Sequence, residues 1–146
     1  MNIPETSLPR ILIVGGGFAG ISMAKLLGSL KAQIVLVDRH NYHNFQPLLY
    51  QVSTGGLEPD SIAYPLRKIL KGLDNFYFRW AQVKSIDPES KAIQTDKGSV
   101  CFDYLVLATG TRTNFFGNEQ IRSHALSMKS VPQALDIRSL ILEHLE

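Results

Sequence analysis

Hydrophobic residues along the chain fall into two kinds of run, and their alternation predicts the fold. Residues 11–14, "ILIV", are uninterrupted, apolar and mostly β-branched, as in a parallel strand buried on both faces. Over residues 18–30 the apolar positions Ile21, Ala24, Leu27 and Leu30 recur every three residues, a helical period. Residues 33–37, "QIVLV", read as a second buried strand. Strand, glycine-rich turn, helix and strand make a βαβ unit, whose crossover is right-handed in nearly all proteins.

Residues 41–56, "NYHNFQPLLYQVSTGG", lose this regularity. They are rich in aromatics and amides, with a proline at the centre, and a loop this apolar is expected to be covered by a ligand or a partner. Residues 58–73 predict a helix with Ile62, Leu66, Ile69 and Leu70 on one face and Lys68 and Lys71 off it. Residues 76–86 are strand-like, and 91–96 and 99–103 follow as short strands joined by a turn at Lys97-Gly98. Residues 104–108, "YLVLA", predict another fully buried strand, ending in "TGTRTN". Residues 131–145 predict a helix with Pro132 in its first turn. Residues 113–130 carry no firm signal. The order gives an α/β fold: a Rossmann-like, doubly wound parallel sheet with an antiparallel β-meander insert.

Composition narrows the function classes. The 146 residues suffice for one domain with a core, and 45% hydrophobic with 19% charged residues is ordinary for a globular chain. A net charge of +2 argues against a nucleic-acid surface. Arg67, Lys68 and Lys71 read as the wet face of a helix. The single cysteine, Cys101, permits no disulfide within the chain, fits a reducing compartment and is expected as a buried structural residue of the meander. The first nine residues read as a polar tail without a signal core. Residues 11–30 make a poor membrane span, because Lys25 and several glycines interrupt them, so the chain is expected to be soluble.

The chemistry sits in the first turn. Gly15, Gly17 and Gly20 fill the three glycine positions of G-x-G-x-x-G. Gly15 permits the tight turn after the strand, Gly17 lets a pyrophosphate approach the backbone, and Gly20 lets helix and strand pack closely. The helix N-terminus, with Phe18 and Ala19, then offers unpaired N–H groups and a positive dipole end. Asp38 closes the second strand 18 residues after Gly20, where its carboxylate can accept both hydroxyls of an adenosine ribose and repel a 2′-phosphate. Arg39 stands beside it. The glycines alone do not distinguish FAD from a nicotinamide dinucleotide. His40 and His43 have an H-x-x-H spacing but no third ligand, so no metal site is expected. No nucleophile elbow and no acid/base carboxylate pair stands out, so no catalytic residue is assigned.

A meander followed by "YLVLATG" resembles the FAD domain of the two-dinucleotide-binding, glutathione-reductase-like flavoproteins. By that resemblance Ala108, Thr109 and Gly110 pack beside the glycine loop and contribute backbone contacts near the flavin side. Val83 meets the adenine through its backbone, with a plain core valine as the competing reading. The dithiol mechanism of the disulfide reductases needs two thiols, and this segment has one.

Within that superfamily, "FQPLLYQVSTGG" and the following "IAYPLRKIL" resemble type II NADH dehydrogenases, single-subunit NADH:quinone oxidoreductases, with Ser53 where alanine is common. The resemblance runs from Arg10 through "KSVPQALDIRSLILE". It implies that Gln46 and Pro47, with Gln51 and Leu48 as further neighbours, line the isoalloxazine ring. Leu49 and Val52 read instead as the core of a short helix. It also implies a division into a polar tail (1–9), an FAD-binding segment (10–112), and a linker and helix (113–146) leading to an NADH-binding domain outside the chain. The implied activity is electron transfer from NADH through FAD to a quinone, with NADH bound outside this segment and the chain alone inactive. The resemblance further implies peripheral attachment to the cytoplasmic face of a membrane through a C-terminal segment not present here. An open sheet edge would favour a homo-oligomer. Other readings are a ferredoxin-reductase-like or sulfide:quinone flavoprotein, or a non-catalytic nucleotide-binding module.

Overall fold

The two apolar runs at the N-terminus become the centre of a parallel sheet. The computed structural model describes residues 1–145, which divide into two compact units, residues 1–43 with 65–110 and residues 44–64 with 111–145.

In the first unit, β1 (Arg10–Val14) leads through α1 (Phe18–Leu27) to β2 (Gln33–Asp38). The helix ends at Leu27, three residues short of the periodicity, with Gly28 as its C-cap, and leaves Leu30 exposed. The chain leaves this unit through β3 (Tyr42–Asn44) and re-enters it through β4 (Ala63–Pro65); the two strands pair with each other. Four residues of helix follow, Leu66–Ile69; in chain order this is the third helix of the molecule. β5 (Phe76–Trp80), β6 (Val83–Asp87), β7 (Ala92–Thr95), β8 (Gly98–Cys101) and β9 (Tyr104–Leu107) complete the unit. The strand order β5-β2-β1-β9 is parallel throughout, while β6-β7-β8 form an antiparallel sheet.

Strand alternation explains why β1 and β2 carry so few polar residues. Successive side chains point to opposite faces, and here both faces are covered. Ile13, Ile34 and Leu36 pack with Ile21 and Ala24 of α1 and with Leu66, Leu70 and Phe78. Leu12, Val35 and Val37 face the other way, against Ala81, Ile93 and Val100 of the β5–β8 region. The parallel sheet is therefore the middle of three layers. Met1 and Ile3 also pack on the second cluster. Gln33 Nε2 donates to the Pro4 carbonyl at 2.8 Å, and Arg79 donates to the Asn2 carbonyl. The first residues are thus a strap on the sheet rather than a tail.

Four further expectations change. The helix over 58–73 is broken into a 3-10 turn, β4 and the short helix at Leu66, because Pro59 and Pro65 lack the N–H a helix interior needs and Pro65 pushes Tyr64 out of the helical region. The strand over 76–86 is two strands, since Ala81 N–H donates to the Asp38 carbonyl at 2.9 Å and the chain then turns into the meander. β9 is an edge strand, so Tyr104 and Leu107 are 64% and 60% exposed instead of buried. Cys101 is exposed, because Val100 takes the inward position of β8.

The β6–β7 connection carries a measurable pH effect. Ser90, through its hydroxyl and its N–H, and then Glu89, through its N–H, hold the Asp87 carboxyl below the usual carboxylate range. The stabilisation is present above the ordinary carboxylate value and is lost as pH falls through the lower folded one. Ser90→Ala is expected to raise the Asp87 titration midpoint toward the ordinary value, read by carboxyl NMR.

In the second unit, a 3-10 turn Gln46–Leu48 runs into α2 (Leu49–Ser53), so the apolar loop is largely helical. Residues 113–130, which carry no firm signal in the sequence, contain a fourth helix, Glu119–His124, whose N-cap Asn118 accepts from Ile121 N–H. The last helix, Val131–Glu143, packs against α2 and stops two residues before the predicted end. Leu49, Val52, Ile62, Val131 and Ala134 form the core of this unit, as expected for Leu49 and Val52.

Candidate functional site

The carboxyl ends of β1, β2 and β9 meet at the glycine loop, where an open α/β sheet places its ligands. Gly15 N–H donates to the Val37 carbonyl at 2.9 Å, and Ala108 N–H donates to the Val14 carbonyl at 2.8 Å. The loop is therefore pinned to both neighbouring strands.

The three glycines serve different purposes. A Cβ on Gly15 would lie 2.2 Å from the Ala108 carbonyl oxygen, and its φ of +112° is one that side chains rarely adopt. A Cβ on Gly20 would lie 1.8 Å from the Gly15 oxygen, so this glycine makes room for helix against loop. Gly17 is unlike both. Its φ of −77° and ψ of −169° suit any residue, and nothing lies within 4 Å of where its Cβ would be. It is the N-cap of α1, and no side chain caps that helix. Neither the backbone nor the packing asks for glycine there; with no side chain at the cap, an outside acceptor can approach the first turn of the helix. Gly17, Phe18 and Ala19 are all exposed.

Asp38 is half-buried at the end of β2 and is engaged on both oxygens. Gly16 N–H donates to Oδ2, and His40 N–H donates to Oδ1 at 2.7 Å. Each carboxylate oxygen keeps a second lone pair, so a ribose diol can still be accepted by a carboxylate whose orientation is already fixed. Arg39, beside it, is exposed.

Thr109 and Gly110 follow Ala108 out of β9, both exposed, and Gly110 has a φ of +70° that accounts for glycine at that position. Val83 is the first residue of β6, half-buried and packed against the cluster under the meander. The structure thus brings Gly15, Gly17, Phe18, Ala19, Gly20, Asp38, Arg39, Val83, Ala108, Thr109 and Gly110 into one unit.

Gln46, Pro47 and Gln51 belong to the other unit. Gln46 and Pro47 are exposed in the 3-10 turn, and Gln46 Nε2 donates to the Lys129 carbonyl at 3.3 Å. Asn44 Nδ2 donates to the same carbonyl. Gln51 Nε2 donates to the Tyr50 hydroxyl at 3.0 Å.

Two residues of the first unit were not singled out from the sequence as site residues. A ring nitrogen of His43 lies 3.2 Å from the Gly16 carbonyl oxygen, and the ring stands edge-on to Phe18 at 4.8 Å. Leu66 covers Gly16, whose Cβ would meet the leucine methyls. Neither stands near the loop in the sequence, and no local pattern announces them.

Residues 9–144 match the family described as pyridine nucleotide-disulphide oxidoreductase. The type II NADH:quinone oxidoreductase NdhA of Mycobacterium tuberculosis is 36% identical over 137 residues, covering 91% of this chain and 29% of that protein. The type II NADH:quinone oxidoreductase of Staphylococcus aureus is 31% identical over 132 residues, covering 88% of this chain and 33% of its own length. The chain therefore spans about a third of the curated relatives it matches. Among solved structures, the sulfide:quinone oxidoreductase of Aquifex aeolicus superposes with a TM-score of 0.81 at 27% identity, over 94% of this chain and 32% of that one. NDH2 of Plasmodium falciparum in complex with NADH gives 0.80 at 27% identity, over 94% and 29%.

Proposed function

Because the chain belongs to the pyridine nucleotide-disulphide oxidoreductase family, we propose that it is the FAD-binding part of an oxidoreductase that passes electrons from NADH to a quinone. The observation that carries the cofactor assignment is the exposed N-terminus of α1, with no side-chain cap, behind a glycine that the fold itself does not require. A dinucleotide pyrophosphate has the charge and the acceptors for that position, and Asp38 has the lone pairs for its ribose. Thr109 and Gly110 offer main-chain groups beside the loop. Gln46, Pro47 and Gln51 are assigned to the isoalloxazine ring on the strength of the resemblance, as uncharged residues suited to a flavin face.

A bound flavin would supply the two-electron chemistry. The residues of this chain supply binding and orientation: main-chain N–H groups neutralise phosphate charge, and Asp38 fixes the adenosine end. NADH and the quinone are assigned to parts of the protein beyond this segment, as is attachment to a membrane. Among the described residues, no helix is long and apolar enough to cross one. The likeness to a sulfide:quinone oxidoreductase makes that chemistry the second reading.

The experiment is an absorbance spectrum of the purified chain after FAD is added and the solution desalted. Retained flavin absorbance is expected; a colourless protein that still unfolds cooperatively would sink the assignment. With FAD bound, this chain is expected to leave a soluble quinone unreduced when NADH is added, and measurable turnover would show that the reaction needs no further chain.

A further inference from the structure

Trp80 ends β5 directly opposite Asp38 in the parallel ladder, and it is 53% exposed. A half-exposed tryptophan at a strand end contributes little to the core, yet its polar atom is tightly placed. The indole Nε1–H donates to the Arg39 carbonyl at 2.8 Å. That carbonyl belongs to the Arg39–His40 peptide, and the N–H of the same peptide donates to Asp38 Oδ1 at 2.7 Å. The peptide is planar, so fixing its oxygen fixes the direction of its N–H. Hydrogen bonds in series also polarise one another.

The indole is itself held. Lys97 Nζ lies 4.2 Å from the centre of the Trp80 ring and donates to the Trp80 carbonyl at 2.7 Å. Lys97 comes from the β7–β8 turn, which is docked on the residues after β5. Gln82 N–H donates to Asp96 Oδ1 at 2.7 Å, and Asp96 N–H donates back to the Gln82 carbonyl at 3.1 Å. A turn of the antiparallel insert thus reaches a carboxylate of the parallel sheet through one aromatic side chain and one peptide. The Arg39–His40 bend is exposed, and the indole adds a second anchor to the one that His40 N–H makes with Asp38.

We propose that Trp80 is a positioning residue for the Asp38 carboxylate, acting through the Arg39–His40 peptide with Lys97 seated on its ring, and that it sets how strongly the site selects a ribose over a deoxyribose. The inference rests on the dinucleotide half-site proposed above. Asp38 recognises the diol only while its free lone pairs stay aimed at it, and the tryptophan supplies that aim.

The test uses ADP and 2′-deoxy-ADP as probes, titrated calorimetrically into the purified chain. The parent is expected to prefer ADP by roughly ten- to hundredfold, the usual worth of a hydrogen bond to a charged group. Trp80→Phe keeps a ring for Lys97 and deletes the donor. It is expected to weaken ADP binding by about three- to tenfold and to shrink the preference for ADP by a similar factor. A loss of general structure would weaken both probes equally and leave the ratio unchanged, so an unchanged ratio overturns the proposal. Lys97→Met alters only an exposed turn and is expected to shrink the ratio in the same direction. It keeps the test decisive if the tryptophan variant does not fold. A parent chain that binds neither nucleotide overturns the half-site reading itself, and this inference with it.

Discussion

Gly17→Asp is expected to leave the fold at least as stable as the parent and to abolish dinucleotide retention. The two halves of the prediction have separate causes. For stability, Gly17 occupies the N-cap of α1 in an extended conformation open to any residue, with empty space where a side chain would stand. Aspartate is among the best N-cap residues, since its carboxylate accepts first-turn N–H groups and lies at the positive end of the helix. The change adds roughly a few tenths of a kcal/mol to the helix. For binding, the same carboxylate takes the N–H groups a pyrophosphate would use and sets a negative charge against it. At about 4 Å and an effective dielectric near 20, that repulsion is on the order of 4 kcal/mol, well over a hundredfold in affinity. The measurement is a pair: a thermal melt, and FAD retained after desalting. A variant that melts as high as the parent and stays colourless places the ligand at α1. A variant that keeps its flavin would show that the open N-terminus has another purpose.

The sequence made the middle of this fold legible and its margins much less so. β1 and β2 could be read because both faces of each are covered, which removes the usual alternation and leaves an apolar run. The glycine loop could be read because its residues are consecutive and each has a local reason. What failed was whatever depends on partners distant in sequence. Ala81 and Gln82 look like the middle of one strand, and only the bond from Ala81 N–H to the Asp38 carbonyl shows that the chain changes sheets there. Cys101 was assigned to the core because a strand pattern does not reveal which of its faces is covered; Val100 takes that role. The broken helix at 58–73 was legible in principle, through Pro59 and Pro65, but the spacing of Ile62, Leu66 and Ile69 imitates a helical face. Met1 and Ile3 sit among polar residues, so the segment averages out as a tail although those two side chains pack on the sheet. Within the site, Asp38 was found and its supports were not. His43 and Leu66 reach Gly16 from a strand and a helix distant in sequence, Trp80 reaches the Arg39 carbonyl from the end of β5, and nothing in their own neighbourhoods marks them.

Gly15→Ala is expected to be strongly destabilising, and to damage the fold before it affects a ligand. The added carbon would sit 2.2 Å from the Ala108 oxygen and 2.7 Å from its carbon, both main-chain atoms of a strand end hydrogen-bonded to Val14. No side-chain rotation relieves the overlap; β9 and the loop must separate. The φ of +112° adds strain of its own, about 1–3 kcal/mol, and forced overpacking adds about 1–3 more. Against the 5–15 kcal/mol that typically holds a folded protein together, roughly 2–6 kcal/mol lowers the urea midpoint by about 1–3 M or leaves the chain unfolded. Gly16→Ala makes the comparison sharp. Its new carbon would meet the methyls of Leu66, the far end of a side chain that can turn away, so its midpoint should fall between those of Gly15→Ala and the parent. Stability is thus expected to rise along the series Gly15→Ala, Gly16→Ala, Gly17→Asp, while the loss of flavin in Gly17→Asp occurs in an intact fold. If Gly15→Ala and Gly17→Asp instead unfolded at the same urea concentration, the distinction between a glycine the backbone requires and a glycine the ligand requires would be lost.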